Sequence, residues 1–271
     1  MSPTVAPTAV GGGDISAAWR VTTDGGKLFI KTAPADANDM FAAEADGLRE
    51  LAAAKAIRVP QVLVQNCSKE TAWLVTEWLS LEATTVNVEY RLGTQLAVLH
   101  RCQRKRHGWF RDNTIGLTPQ PNSQSDNWIS FYREHRLRYQ FELAGRNGYS
   151  GELTKLGSQL LDRLDSFFQQ APKPSLLHGD LWAGNRAACN GEPVIYDPAV
   201  YYGDRETDLA MTHLFGGFSP AFYAAYEESW PLPEGHERRR QLYQLYHVLN
   251  HLNLFGRTYH VRALELLRTL L

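Results

Sequence analysis

An Asn-Gly dipeptide at 190–191, bracketed by short alternating runs, limits what this chain can fold into more than any other feature. Both residues tolerate positive φ, so the pair is the strongest short signal for a two-residue β-hairpin. With Asn190 and Gly191 in the turn, Cys189 faces Glu192, and the continued ladder sets Asn185 opposite Tyr196 and beside Asp197. Just upstream, the apolar run Leu176-Leu177 ends at a polar loop carrying His178 and Asp180. The hairpin therefore gathers Asp180, Asn185 and Asp197 into one oxygen-rich place.

Two carboxylates and a carboxamide suit a hard divalent cation such as magnesium, which takes oxygen ligands and is usually completed by substrate phosphates. His-x-Asp, an Asn five residues after that Asp, and then a separate Asp is also the order of parts in the protein-kinase template: base, metal ligand, metal ligand. Taken singly, each residue reads equally well as a cap in a surface loop. The ordered set is what points to phosphoryl transfer.

The 271 residues, 44% of them apolar, allow one large or two modest domains with a real core. With 28 Lys and Arg against 29 Asp and Glu, no cationic excess exists to neutralise a nucleic-acid backbone, so nucleic acid is not an expected partner. No apolar run approaches the roughly eighteen residues of a membrane span, and Met1 to Gly13 lacks the pattern of a signal peptide. Cys67, Cys102 and Cys189 fit neither a disulfide framework nor a zinc pattern, so a reducing cytoplasm is the expected location.

Met1 to Val10 reads as a mobile lead-in. Gly11-Gly12-Gly13 then precede a strand over Ala17 to Thr22, and Asp24-Gly25-Gly26 turns it into a second over Lys27 to Thr32. Ser16 stands where a dinucleotide fingerprint needs its third glycine, and no Gly-Lys-Ser/Thr follows to make a P-loop. A triple glycine alone is as easily a hinge; ahead of a hairpin carrying Lys31 it reads as a lid of backbone amides over phosphates. Asp39 to Ala54 has helical spacing through Phe41, Leu48 and Leu51, and Glu44 lies on the same stripe. A carboxylate on a packed face needs a cation, and Lys31 is the nearest in chain order; otherwise Glu44 sits at the rim in water. Strands follow over Val59 to Val64 and Thr71 to Trp78. Glu77-Trp78-Leu79 then opens a crossover through Val86, which in a two-lobed nucleotide fold supplies main-chain hydrogen bonds to the adenine edge.

The remainder reads as mainly helical. Helices are expected over Glu89 to Arg101, Trp128 to Leu143 and Leu153 to Phe168, with two more between Glu237 and Leu271 broken near Gly256. The basic cluster Arg101 to His107 reads as a solvated helix end, with anion binding as the alternative. Trp109 to Asn127 reads as a long binding loop. Asp204, Glu206 and Asp208 read as caps of a helix ending at Gly216-Gly217, and Arg205 is placed to hold the catalytic loop. His247 and His251, one turn apart but lacking a third ligand, read as packed or solvated histidines.

Laid out in this way, the chain resembles the fructosamine kinase (ketosamine-3-kinase) family, a branch of the aminoglycoside-phosphotransferase-like, protein-kinase-like fold. The words that carry the resemblance are Gly11-Gly-Gly-Asp-Ile, Phe29-Ile-Lys31, Phe41-Ala-Ala-Glu44-Ala-Asp-Gly47-Leu, Pro119-Gln120-Pro-Asn122, His178-Gly-Asp-Leu-Trp-Ala-Gly-Asn185, Asp197-Pro-Ala and Tyr202-Gly-Asp-Arg-Glu-Thr-Asp-Leu-Ala210. One departure is Asp14, where some members carry a cysteine in the glycine loop.

The resemblance implies an α+β bilobal protein-kinase-like fold. Its N-lobe, residues 1–79, would be a small antiparallel β-sheet with one helix, and its C-lobe, residues 80–271, mainly α-helical. It implies ATP and Mg2+ as cofactors and a ketoamine or glycated amine as the small-molecule substrate, phosphorylated on its 3-hydroxyl in a deglycation or repair reaction. Asp180 would be catalytic; Gly11, Gly12, Gly13, Asp14, Lys31, Glu44, Glu77, Trp78 and Leu79 would hold the nucleotide, and Asn185 and Asp197 the metal. Trp182 would stack on the sugar or serve as a core aromatic, with Gln120, Asn122 and Trp128 as pocket walls. A monomer or weak dimer, with no membrane partner, is expected. The rival readings are an aminoglycoside, choline or homoserine phosphotransferase and a non-catalytic nucleotide-binding module; a hydrolase lacks its Gly-x-Ser-x-Gly elbow.

Overall fold

The computed structural model describes residues 6–11 and 16–271. Alternation of buried and half-buried positions, as in Thr71–Glu77, builds an antiparallel sheet whose inner face packs on one helix. Its strands are β1 (Thr8–Val10), β2 (Ala17–Thr23), β3 (Gly26–Pro34), β4 (Val62–Cys67) and β5 (Thr71–Glu77), in the order β1-β2-β3-β5-β4. Thr8–Val10, expected as a loose lead-in, pairs with Ala18–Arg20 as an edge strand. Gly12, Gly13 and Asp14 of the expected phosphate lid lie outside the described residues, while Gly11 follows β1 directly. The fourth strand begins at Val62 instead of Val59, because Pro60 cannot donate to a ladder and the register slips between Val62 and Val64.

Helix α1 (Asn38–Ala53) lies against this sheet through Phe41 and Ala45, which pack on Ala72 and Leu74. Its Gly47 meets the following lobe: a Cβ there would stand 3.1 Å from Val200 Cγ2, so the absence of a side chain sets how closely α1 approaches the segment after Asp197.

The helical lobe follows the linker. Helix α2 (Val86–His100) is capped by Thr85 and packs on α7 (Pro220–Ser229), whose contribution the sequence pattern did not reveal. The expected long loop contains a hairpin, β6 (Asn113–Ile115) with β7 (Thr118–Gln120), turned at Gly116 with φ 61°. Helix α3 (Trp128–Tyr132) continues through a π-turn (Arg133–Arg138) into α4 (Tyr139–Arg146). Next come α5 (Glu152–Asp162), β8 (Ser175–Leu177), the hairpin β9 (Arg186–Cys189) with β10 (Glu192–Ile195), and β11 (Tyr201–Gly203), which pairs with β8. Helices α6 (Glu206–Thr212), α8 (His236–Phe255) and α9 (Thr258–Leu270) complete the lobe, with α8 ending at Gly256, φ 85°. The main core runs through this lobe and includes Leu92, Leu96, Trp128, Leu177 and Leu249, each worth roughly 2 kcal/mol of burial.

No helix among the described residues is long and apolar enough to cross a membrane. Cys67, Cys102 and Cys189 are all free.

Candidate active site

The Asn-Gly turn forms as its residue types require: Asn190 and Gly191 have φ of 53° and 72°, and Cys189 pairs with Glu192. The ladder continues to Tyr196, whose N–H donates to the Asn185 carbonyl at 3.1 Å. Asp197 comes next with φ 55°, a left-handed conformation that Asp tolerates better than most residues. That local turn delivers its carboxylate to the cleft.

Lys31, in the middle of β3, joins the two lobes. Its Nζ donates to Glu44 Oε1 at 2.7 Å and to Asp197 Oδ1 at 2.7 Å. Burial by itself would lower the lysine pKa, but the carboxylates of Glu44 and Asp197 outweigh it and hold the ammonium charged. Glu44 is therefore an inward-facing partner of Lys31 and not a rim residue.

On the far side of the cleft, Asn185 Nδ2 donates to Asp180 O at 2.9 Å and to Asp180 Oδ2 at 3.1 Å. Burial pushes the Asp180 carboxyl up, the negative charge of Asp197 pushes the same way, and the Asn185 hydrogen bond opposes them, leaving a pKa of about 7. Such a group is matched to proton transfer near neutral pH. Among the described residues nothing donates to Asn185 Oδ1, and Asp197 uses only Oδ1 in its ion pair. Two hard oxygen donors thus face the cleft. No cluster of three or more His, Cys, Asp or Glu that could cage a metal exists among the described residues, so a magnesium ion here would need phosphate oxygens to complete its shell.

The catalytic loop is set from below. Asp208 accepts the backbone N–H of His178 at 2.7 Å and of Gly179 at 2.8 Å, and its other partner is His100 Nε2 at 3.2 Å. Asp208 is 1% exposed. It is therefore a clamp on the loop and not the helix cap expected from its position in the first turn of α6. Asp204 lies one residue before the N-cap Arg205; it accepts Glu206 N at 3.1 Å and the Tyr243 hydroxyl at 2.6 Å, tying the start of α6 to α8, while Glu206 forms a buried ion pair with Arg239. Arg205 does not reach the loop: it binds Tyr226 Oη and the Trp230 and Pro231 carbonyls, touching the loop only through Tyr226 and His100. Gly179, with φ 84°, is required twice over, since a Cβ would come within 2.0 Å of the Ala199 carbonyl oxygen. His178 Nδ1 accepts the Asp180 N–H and Nε2 lies 3.0 Å from the Tyr196 carbonyl, which fixes the proton on Nε2.

Three expected pocket walls belong to the core instead. Gln120 Nε2 donates to Asn113 Oδ1 and to the Ala199 carbonyl, and its Oε1 accepts from Tyr246. Asn122 donates to Asn113 Oδ1 and the Arg111 carbonyl and accepts from Arg136. Trp128 Nε1 donates to Tyr243. With exposures of 1%, 1% and 2% and their polar atoms engaged, none can wall a pocket; they buttress the Ala199-Val200 segment between Asp197 and β11. The basic cluster likewise anchors structure: Arg104 binds Glu50, Arg106 binds Asp126, and His107 is buried, its pKa pushed down to about 4.

Glu77, Trp78 and Leu79 leave the sheet at the mouth of the cleft. Glu77 Oε1 and Oε2 take Gln61 N and Arg58, and Trp78 N donates to the Lys27 carbonyl. The linker then zips onto the catalytic hairpin through paired Glu82–Ala188 backbone bonds and the Glu89–Arg186 ion pair at 2.7 Å. Trp182 is half-buried, edge-on to Phe215 at 6.3 Å.

The sequence model of the fructosamine kinase family matches residues 3–271. The chain belongs to the fructosamine kinase family. It is 44% identical over 267 residues to a probable ketoamine kinase of Synechocystis, covering 96% of this chain and 88% of that one. A chloroplastic protein-ribulosamine 3-kinase of Arabidopsis thaliana is 40% identical over 264 residues, covering 96% and 80%. Among solved structures, a putative fructosamine-3-kinase from Haemophilus somnus superposes with a TM-score of 0.91 at 29% identity, covering 98% of this chain and 91% of that one. An ADP-bound aminoglycoside phosphotransferase shares the fold alone, at TM-score 0.67 and 16% identity over 98% and 93% of the two chains. The fold is thus the bilobal kinase type, and this fructosamine kinase family member is a phosphotransferase with an alcohol group as acceptor.

Proposed function

We propose that the protein transfers the γ-phosphoryl group of ATP, with Mg2+, to the 3-hydroxyl of a ketoamine such as a fructosamine or ribulosamine, in a deglycation or repair reaction. The observation that carries this reading is the convergence of Lys31, Asp197, Asn185 and Asp180 from both sides of one cleft. A 1–79 nucleotide lobe and an 80–271 substrate lobe are supported by the chain leaving the sheet just before this boundary, at the end of β5 (Thr71–Glu77). Magnesium and ATP would supply the transferable phosphoryl group and the neutralisation of its charge.

The chain's own residues supply the rest. Lys31, oriented by Glu44 and charged, would take the α- and β-phosphates; Asn185 Oδ1 and Asp197 Oδ2 would hold the cation. The main chain at Leu79, whose N–H has no hydrogen-bond partner among the described residues, suits the adenine edge. Asp180 receives or orients the acceptor's hydroxyl proton. Because phosphoryl transfer is loose at the transition state, holding these groups in line outweighs proton abstraction itself.

A polycationic acceptor of the aminoglycoside kind fits less well, since the Pro119 to Trp128 loop offers a single carboxylate, Asp126, and that one is paired with Arg106. Magnesium-dependent ATP consumption should appear with a fructosyl or ribulosyl amine and be absent with kanamycin and choline. Asp180→Asn should reduce turnover by on the order of 10² or more. Nucleotide binding with no turnover on any acceptor would instead mark a non-catalytic module. The free cysteines suit a cytoplasmic location, testable by fractionation.

A further inference from the structure

We infer that a shelf of aromatic rings running outward from the catalytic loop binds an uncharged alkyl or aryl arm on the amine of the acceptor. This rests on the kinase reading above and names which ketoamines that site prefers. Trp182 stands two residues beyond Asp180, and its N–H donates to the Asp180 carbonyl. From it the rings run on: Phe215 lies 6.3 Å from Trp182, His251 4.4 Å from Phe215, and Phe255 and Tyr259 lie 5.3 and 5.1 Å from His251.

Three independent observations set this shelf apart from ordinary core. Phe215 is 36% and Phe255 57% exposed, so large apolar faces stand in water along a row of rings that starts at Trp182 on the loop carrying Asp180. Phe215 also has φ 51°, a conformation uncommon for a bulky residue and kept only where surrounding contacts sustain it, and its ring lies against those of Trp182 and His251. Burial lowers the His251 pKa, so the ring between the two phenylalanines is neutral at physiological pH. A sugar placed with its hydroxyl at Asp180 directs its amine substituent along these rings, because the catalytic loop and the shelf are continuous through Trp182.

Charge selects the kind of arm. The shelf itself carries no carboxylate; the cleft of about 350 Å³ farther along α8 and α9 is lined by Arg240, Arg262 and Glu265, the last two paired with each other at 3.3 Å. With no carboxylate on the shelf to pair with it, a polyamine arm would leave its charges unmatched there, whereas an alkyl chain or an aryl ring covers the exposed faces of Phe215 and Phe255 without unpaired charge.

The test compares a ketose–hexylamine conjugate with a ketose–methylamine conjugate, which offers the same hydroxyl but no arm. The wild type should favour the hexylamine conjugate by about tenfold in kcat/KM, the range that a few methylenes on an apolar surface supply. Phe255→Ala should collapse that ratio, acting on KM of the long acceptor, and Phe255→Tyr should restore it. A wild type that turns over both conjugates equally, or a ratio untouched by Phe255→Ala and Phe215→Ala, overturns the shelf while leaving the kinase reading intact. Turnover of neither conjugate overturns both.

Discussion

Behind Asp197 and in front of Asp180, two groups of aromatic and amide residues look interchangeable in the sequence and serve opposite purposes in the fold. The rear group, Gln120, Asn122, Asn113 and Trp128, is fully buried, its amides hydrogen-bonded in a chain that ends on the Ala199 and Val200 carbonyls. The front group, Trp182, Phe215 and Phe255, is partly exposed, and its side chains meet one another through a row of rings. Buried amides cost too much when unpaired to be left for a substrate, while exposed rings are stable with or without one. The rear holds the site in place, and the front is left to meet the acceptor.

That contrast can be broken by substitution. The largest effect is expected at the deepest rear contact: Asp208→Ala strands the N–H groups of His178 and Gly179, and should destabilise the fold by about 3 kcal/mol or more in urea denaturation. Next, Gln120→Leu leaves the Tyr246 hydroxyl and the Ala199 carbonyl without their partner, and a loss of about 2–3 kcal/mol is expected. A loss below about 0.5 kcal/mol would return Gln120 to the pocket wall.

Acid should find the same rear side. His247 is 3% exposed, and burial, with His251 nearby, depresses its pKa to about 3. The unfolded chain titrates its histidines near 6.5, so below that pH it binds a proton the folded state refuses. Stability is therefore lost as pH falls from about 6.5 towards 3, by about 2 kcal/mol at pH 5 for this residue. Thermal melts across that window should decline, and His247→Phe should flatten the decline; an unchanged slope would exclude His247 as its source. At the small end, Phe255→Ala should shift stability by no more than about 0.5 kcal/mol, because its ring is mostly in water. A core-sized loss there would erase the distinction between front and rear.

Much of this was legible in the residues. The Asn190-Gly191 turn fixes its own register, so Asp180, Asn185 and Asp197 could be assembled from spacing alone, and the Glu44 stripe required a cation that proved to be Lys31. What could not be read were contacts made at long range. Asp208 has the position of a helix cap, and nothing local reveals that the chain from 178 to 179 folds over it. Likewise, Gln120 and Asn122 occupy a Pro-rich stretch that looks exposed until β6 and β7 pair and bury it against Arg136. The shelf was hidden for the converse reason, since Phe215 and Phe255 join Trp182 only after α6, α8 and α9 have packed.

Phosphorylation of a ketoamine in the Lys31–Asp197 cleft is the central claim. Phosphorus NMR of a reaction containing ATP, magnesium and a ribulosyl amine should show a new phosphoester on the sugar's 3-hydroxyl with the wild type and almost none with Asp180→Asn. Equal ester formation by both proteins, or none by the wild type although it binds the nucleotide, would contradict it.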